Sequence, residues 1–495
     1  VPTRPHAIDP RTDWPVFDVA TTRRLETLAL ASVAPHTLMQ RAGLSAARLA
    51  LAVAPHARSI WIAAGPGNNG GDGLEAAAHL QRMGKSPVVT WLGDRAHASS
   101  DTLASWQRAK DAGVVFADNP PPRPDLCVDA LLGIGARQAP GGRMAQWIDA
   151  MNRSGAPVLA IDLPTGLDAD SGHCPGPHVL ARHTLSLLTL KPGLFTAMGR
   201  DAAGRVWFDD LQVPTHDAAW RALATPCALY GGTPVRPARL HASHKGSYGD
   251  VAIIGGAPGM AGAALLAAGA ALHYGAGRVY LAPLDPSLSA ASLAGQPELM
   301  LRSTDTLDLS ALAVVCGCGG GDAVRVVLPR VLSSAARLVL DADALNALAA
   351  DSQLQTQLRV RAQRGRPTVL TPHPLEAARL LATDSPSVQQ DRLAAAARLA
   401  EAFQCTVVLK GSGTVIASPG QLRHINATGN ARLASAGTGD VLAGALGAAL
   451  AAGLAPHAAA CEVVYQHGRC ADDWPVDQAL VAGALARRLQ APQPG

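Results

Sequence analysis

Apolar positions first recur at helical spacing in residues 20–51, where Leu25 and Leu28, Leu38 and Met39, then Leu44 and Leu49 mark two helices. These are expected to be scaffold or an oligomer surface. The pattern then changes to short, uninterrupted apolar runs. Ser59-Ile-Trp-Ile-Ala-Ala reads as a strand, breaks into a glycine-rich loop over residues 65–73, and resumes as a helix at Leu74. Residues 86–92, 126–132 and 157–162 are further strands, the last two carrying an acid, with a helical pattern over residues 102–112. Runs that are apolar on both faces belong to buried parallel strands whose carboxyl ends open on one crevice. Three strand ends thereby deliver Asn69, Asp129, Asp162 and Thr165 to one place.

Between residues 208 and 240 the periodicity lapses, which marks a domain junction. Strand-and-loop units then resume. Residues 250–254 lead into the glycine loop 255–263 and a long helix of small residues, and four later strands end in glycines, acids, a His or a Lys. The apolar segment from Val441 runs for about fifteen residues, short of the roughly twenty that span a bilayer, and reads as a buried helix. The expected fold class is α/β with two domains, residues 1–222 and 223–495, the first Rossmann-like with three α/β/α layers.

Composition narrows the function. With 48% hydrophobic and 16% charged residues over 495 positions, the chain describes packed globular domains. The net charge of +4 is not gathered into a basic run, so nucleic acid is not an expected partner. Cys127, Cys174, Cys227, Cys316, Cys318, Cys405, Cys461 and Cys470 are scattered without a paired C-x-x-C spacing, which reads as reduced thiols in a cytoplasmic protein. The opening residues lack the apolar core of a signal peptide.

Candidate chemistry lies in two glycine-rich stretches. Gly437-Thr438-Gly439-Asp440 opens an apolar helix: the glycines let backbone amides approach an anion, the helix dipole favours phosphate, and Asp440 suits a base facing a hydroxyl. Alone it reads rather as a turn with an acidic cap. Gly65, Gly67 and Gly70 formally satisfy the dinucleotide fingerprint G-x-G-x-x-G, yet Asn68, Asn69 and Asp72 among them supply oxygens that a hydride-transfer enzyme does not need. They suit a ribose, a nicotinamide amide or a cation. Lys245 is either a phosphate contact or a loop lysine, and His373 with Glu376 lacks a third metal ligand and is expected to contact substrate.

Taken together, Gly65-Pro-Gly-Asn-Asn-Gly-Gly-Asp-Gly, Val128-Asp-Ala-Leu-Leu-Gly-Ile-Gly and Asp162-Leu-Pro-Thr-Gly resemble the epimerase of the NAD(P)H-hydrate repair proteins, the YjeF family. The resemblance implies interconversion of R and S hydrated NADH or NADPH. It implies that Asn68, Asn69, Gly70, Gly71, Asp72, Gly133, Ile134, Gly135, Ala136, Arg137, Gln138 and Asp162 hold the hydrated dinucleotide, with Asp162 catalytic. Asn69, Asp129 and Thr165 would bind K+, Thr165 standing where Ser is usual.

The second half resembles the ribokinase-like dehydratase of the same repair system at Lys245-Gly246, Asp341-Ala-Asp343-Ala-Leu-Asn346, Thr371-Pro-His373-Pro, Lys410-Gly-Ser-Gly-Thr414 and Gly437-Thr-Gly-Asp440. Gly317-Cys-Gly-Gly-Gly departs from that family's Gly-Pro-Gly-Leu-Gly, and Leu375 stands where Gly is usual. The resemblance implies a catalytic Asp440, a hydrated-dinucleotide site at Ala263, Gly319, His373 and Asp440, and an ADP site at Lys410, Gly411, Ser412, Gly413, Thr414 and Gly439, with Mg2+. A homo-oligomer, free of membrane and nucleic acid, is expected. Two rivals stand beside this reading: a small-molecule kinase fused to a non-catalytic nucleotide-binding domain, and a nucleotide-sensing scaffold.

Overall fold

The computed structural model describes residues 4–135, 138–213, 227–232, 240–289, 293 and 295–492. The chain forms two compact units, one built from the chain up to Cys227 apart from Pro10–Asp13, the other from Pro10–Asp13 and Ala228 onward. The boundary expected between residues 222 and 223 lies outside the described residues.

In the first unit the strands are β1 (His6–Ala7), β2 (Ser59–Ala64), β3 (Ser86–Trp91), β4 (Val115–Phe116), β5 (Leu126–Ala130), β6 (Val158–Ile161), β7 (His183–Leu187) and β8 (Arg205–Asp209). They lie in the order β1-β8-β7-β6-β5-β2-β3-β4, parallel except for β1 against β8. Helices α1 (Val19–Ala31), α2 (Thr37–Val53), α3 (Asn68–Arg82), α4 (Ser100–Asp111) and α5 (Gly142–Arg153) cover the sheet. Side chains alternate along β2: Ile60 and Ile62 join the core with Leu25 and Leu74, whereas Trp61 and Ala63 join Trp147 and Ile148 on the other face. Register sets Ala63 beside Asp129 and Asp129 beside Ala160, so the carboxyl ends of β2, β5 and β6 come flush.

One element begins earlier than its sequence suggests. The helix expected from Leu74 starts at Asn68, so most of the glycine loop is its first turns. Packing explains why glycines are there: a Cβ on Gly70 would sit 2.1 Å from the Gly65 carbonyl oxygen, and one on Gly73 would sit 2.5 Å from Ala130 Cβ. The glycines press α3 onto the ends of β2 and β5 as well as freeing the backbone.

Strands of the second unit are β9 (Cys227–Leu229), β10 (Asp250–Gly255), β11 (Arg278–Pro283), β12 (Met300–Leu301), β13 (Ala313–Cys316), β14 (Arg337–Leu340), β15 (Thr368–Leu370), β16 (Thr406–Leu409), β17 (Val415–Ala417) and β18 (Arg423–Ile425). Their order is β12-β11-β10-β13-β14-β15-β16-β17-β18-β9. From β12 to β16 they run parallel, and β17 and β18 continue antiparallel. Flanking helices include α6 (Ala261–His273), α7 (Asp343–Ala350), α8 (Pro374–Leu380), α9 (Arg392–Phe403), α10 (Thr438–Ala451) and α11 (Pro456–Asp472). The apolar segment from Val441 is α10, almost wholly buried. Its glycines allow that burial, since a Cβ on Gly444 would meet the Ala267 carbonyl oxygen at 2.0 Å and one on Gly447 the Val315 side chain at 2.4 Å. No described helix is long and apolar enough to cross a membrane.

Candidate active sites

A cleft of about 480 Å3 opens at the flush strand ends of the first unit. Asn68, Asn69 and Asp72 from the start of α3, Gly133, Ile134 and Gly135 after β5, and Asp162 after β6 all line it. Gly70 and Gly71 do not: they face the Gly65 backbone and the Met39 side chain. Gln138 is exposed away from the lining, and Ala136 and Arg137 lie outside the described residues.

Asp129 and Thr165 are fully buried behind the lining. The Thr165 amide and hydroxyl both donate to Asp129 at 2.7 Å, the Leu131 amide donates to it at 3.1 Å, and Thr165 Oγ1 accepts from the Leu132 amide at 3.0 Å. Burial nevertheless pushes the Asp129 carboxyl up to about 6, against the pull of those hydrogen bonds. Both polar side-chain atoms of buried Asn69 have no partner among the described residues, a state that costs about 1–3 kcal/mol per group. An amide oxygen without a donor, a carboxylate raised by burial and a hydroxyl are hard-oxygen donors, and this set fits a small cation.

Asp162 is held differently. Its backbone adopts the left-handed conformation, with φ of 66°, which turns the side chain into the cleft beside Gly133. Lys191 Nζ donates to its carboxylate at 2.5 Å and to the Leu187 carbonyl at 2.8 Å, and this lysine is 1% exposed. Two further acids face the same space. Asp72 is pushed well above its usual range by burial and by the charges of Asp162 and Glu26, and Glu26 is raised by burial and by Asp162, with Lys191 and Arg23 opposing.

The sequence pattern missed Lys191, Glu26 and Arg23. Lys191 had a signal: it is the one charged residue in the run Leu185-Ser-Leu-Leu-Thr-Leu-Lys-Pro-Gly-Leu-Phe. Helices α1 and α2, expected to be scaffold or an oligomer surface, instead supply Thr22, Arg23, Glu26, Leu38, Met39 and Ala42 to the cleft wall. Their helical spacing shows the core-facing stripe and says nothing about the residues at its margin.

In the second unit β13, β14 and β15 end in register, with Cys316 beside Leu340 and Leu340 beside Leu370. The residues that follow converge. Lys410 Nζ and Thr371 Oγ1 both donate to Asp341 Oδ1 at 2.7 Å, and one ligand atom each of Cys318, Asp341 and Asp440 lie within 4.8 Å of one another. Gly437 caps α10 in the left-handed conformation and puts Asp440 in its first turn. A Cβ on Gly439 would stand 3.4 Å from Lys410 Nζ, and one on Gly319 would stand 2.9 Å from Ala263 Cβ, so these pairs are adjacent.

Burial, then the nearby Asp341, pushes the Asp440 carboxyl up to about 6, with Cys318 and Lys410 pulling it down. Burial works against the Lys410 ammonium, but Asp341 and Glu376 outweigh it and hold its pKa above the usual lysine value. The Cys318 thiol is pushed up by burial and by Asp341 and Asp440, and so stays protonated.

His373 caps α8. Its Nδ1 accepts from the Leu375 and Glu376 amides at 3.1 and 3.3 Å, and its Nε2 lies 3.1 Å from Glu376 Oε1, so both ring nitrogens serve its own helix while the half-exposed ring face remains for a ligand. Ser412 is exposed and Gly411 and Gly413 have positive φ, while Thr414 Oγ1 donates to the Gly411 carbonyl at 3.1 Å. Arg392, absent from the sequence reading, ties this loop down: it is 1% exposed and donates to the Leu409 and Lys410 carbonyls, each at 3.1 Å. Lys245 stands exposed on a short 3-10 helix, Lys245–Tyr248.

A parallel sheet with an oxygen-rich cleft at its strand ends, and a second whose glycine-capped helix sets an acid beside a lysine, define a two-domain α/β enzyme built to handle nucleotides. Residues 251–493 match the family described as NAD(P)H-hydrate dehydratase, and residues 35–193 match the YjeF-related protein N-terminus. The bifunctional NAD(P)H-hydrate repair enzyme Nnr of Escherichia coli (strain K12) is 35% identical over 477 residues, 94% of this chain and 90% of that one. The ADP-dependent (S)-NAD(P)H-hydrate dehydratase of Neisseria meningitidis serogroup B is 44% identical over 258 residues, 51% of this chain and 86% of that one. A solved structure of the ADP/ATP-dependent NAD(P)H-hydrate dehydratase from Bacillus subtilis, co-crystallized with ATP/Mg2+, covers 51% of this chain and 92% of its own at 30% identity, with a TM-score of 0.44. The chain belongs to the family of bifunctional NAD(P)H-hydrate repair enzymes.

Proposed function

We propose that the chain epimerises R and S hydrated NADH and NADPH in its first unit and dehydrates the S form in its second, converting ADP to AMP and phosphate. The observation that carries this reading is Asp440, a carboxylate raised to about 6 in the first turn of α10, close to Asp341 and Cys318. An acid that ionises near neutral pH and stands at a helix N-terminus can take a hydroxyl proton while the backbone amides receive phosphate charge. Hydroxide is a poor leaving group and phosphate a good one. Asp440 accepts the proton as the substrate oxygen attacks the terminal phosphoryl group of ADP and AMP departs. The C–O bond then breaks with phosphate leaving, the ring nitrogen's lone pair assists, and loss of a proton from the neighbouring carbon restores the dihydronicotinamide.

Lys410, Gly411, Ser412, Gly413, Thr414 and Gly439 hold the adenine nucleotide in this reading, and Ala263, Gly319, His373 and Asp440 the hydrated dinucleotide. Mg2+ supplies charge neutralisation to the phosphates, with the Asp341 oxygens as the nearby donors. In the first unit Asp162 exchanges a proton with the hydrated ring while Lys191 holds its carboxylate in place. K+ held by Asn69, Asp129 and Thr165 would supply a fixed positive charge, a role supported by the Asn69 amide, which has no partner among the described residues. Cytoplasmic operation as a homo-oligomer is the accompanying expectation, and eight cysteines that form no disulfide suit a reducing compartment.

Incubating hydrated NADH with ADP and Mg2+ tests the reading: NADH absorbance returns if it is right and stays flat if it is wrong. Replacing K+ by a bulky organic cation is expected to weaken hydrated-dinucleotide binding severalfold in the first unit. Indifference to K+ would leave Asn69, Asp129 and Thr165 as strand-end caps.

A further inference from the structure

On the far flank of the second sheet, three side chains that belong to neither candidate active site converge. His457 and Cys461 are separated by one turn on the same face of α11, and His424 projects from β18 toward them. Their ligand atoms, one imidazole nitrogen from each histidine and the Cys461 sulfur, all lie within 4.8 Å of one another. Cys461 is 3% exposed, His457 is 9% exposed and His424 is half-buried, so the cluster sits largely beneath the surface.

The groups behind the ligands are also in place. His424 Nδ1 and His457 Nε2 face each other at 2.9 Å. The opposite nitrogen of His457 lies 2.8 Å from Ser418 Oγ, itself 2.8 Å from Thr406 Oγ1, and the His424 ring also bonds to the Leu422 backbone. Metal-bound histidines characteristically give their other ring N–H to a neighbouring oxygen, which fixes the tautomer. Here His457 has that oxygen, Ser418 Oγ, on the nitrogen turned away from His424.

We propose that His424, His457 and Cys461 form a transition-metal site, best suited to Zn2+, that clamps α11 to β18. Nitrogen and thiolate donors select such ions over Mg2+ or K+. Tetrahedral Zn2+ spaces its ligand atoms roughly 3.3–3.8 Å apart, so small rotations about the side-chain bonds suffice. On binding, Cys461 releases its proton to solvent, and the proton between the two rings moves to whichever outer nitrogen lacks one, His457 Nδ1 beside Ser418 Oγ or His424 Nε2. The fourth position goes to water or to Asp13, a carboxylate of the same unit whose charge reaches both His424 and Cys461. The clamp bears on the dehydratase site through α11 itself, because His467 on that helix bonds to the Thr438 carbonyl at 3.0 Å, two residues before Asp440.

Titrating the full-length, metal-stripped protein with Co2+ tests this. The expected result is a tight-binding equivalent with thiolate-to-cobalt charge-transfer absorption, displaced by Zn2+. The absorption is lost in Cys461→Ser and kept in Cys318→Ala, which removes the thiol of the other cluster. Ser418→Ala, which alters no ligand, is expected to weaken affinity about 10-fold. It also serves if Cys461→Ser fails to fold, as judged by circular dichroism. Absence of the absorption in the parent, its persistence in a folded Cys461→Ser, or unchanged affinity in Ser418→Ala overturns the proposal and leaves a hydrogen-bonded histidine pair.

Discussion

Asp162 and Asp440 each stand at the mouth of a parallel sheet, but their surroundings balance charge in different ways. Asp162 has a lysine of its own: Lys191 is buried beneath it and donates directly to its carboxylate. Asp440 has only a share of one, because Lys410 is hydrogen-bonded to Asp341, and burial raises the remaining carboxylate to about 6. A site whose acid is charge-balanced can pass a proton back and forth without bias, which suits exchange between two epimers. One whose acid is poised near neutrality, with no cation paired to it alone, suits a single directed proton abstraction.

The largest effect expected from breaking this contrast is in Asp440→Asn. Recovery of NADH from the S epimer should fall about 10³-fold, the scale of a lost general base, while epimer exchange followed by chromatography stays at the parent rate. Retained recovery would remove Asp440 from the mechanism. The reciprocal variant, Asp162→Ala, should return NADH from a mixed hydrate up to the S fraction and then stall at the spontaneous exchange rate. Adding the Asp440→Asn protein, whose epimerase is intact, should restart it. Conversion of the whole mixture at the parent rate would show that epimerisation does not use Asp162.

Removing the lysine sharpens the comparison at the level of stability. Lys191→Met leaves a partly buried carboxylate without its cation and should destabilise the protein by about 3 kcal/mol in denaturant titration, most of it recovered in Lys191→Met/Asp162→Asn. The smallest effect concerns pH. Because Asp440 is expected to act ionised, dehydration should fall tenfold per pH unit below about 6. Its carboxyl is raised from 3.8 in the folded protein, so the native state holds that proton more tightly and stability declines as pH climbs from about 4 to about 6. Asp440→Asn should therefore melt above the parent at pH 7 and converge with it near pH 4.

The central strands of both sheets and the residues at their ends were legible because buried parallel strands are short, uniformly apolar and closed by an acid or a glycine, whereas the strands toward the sheet edges, such as His183–Leu187 and Arg278–Pro283, were not. What escaped was whatever periodicity does not encode. Glu26 and Arg23 lie at the edge of an ordinary amphipathic helix, Lys191 is a cation inside an apolar segment, and Arg392 opens a helix; the partners of both cations are distant in sequence. The start of α3 escaped for a different reason. Clustered glycines usually signal a loop, and here they are a helix surface that must touch backbone.

The left-handed backbone at Asp162 also bears on how this chain can change over generations. Asn and Gly tolerate that conformation, and each is one base change from Asp, whereas Ala or a branched residue adds about 1–2 kcal/mol of strain. A lineage could thus lose the Asp162 carboxylate without unfolding, were it not for Lys191, whose buried charge would be stranded by the same step. The two positions, 29 residues apart, are therefore expected to drift together or not at all. Descendants that keep only the dehydratase should have lost the lysine along with the acid.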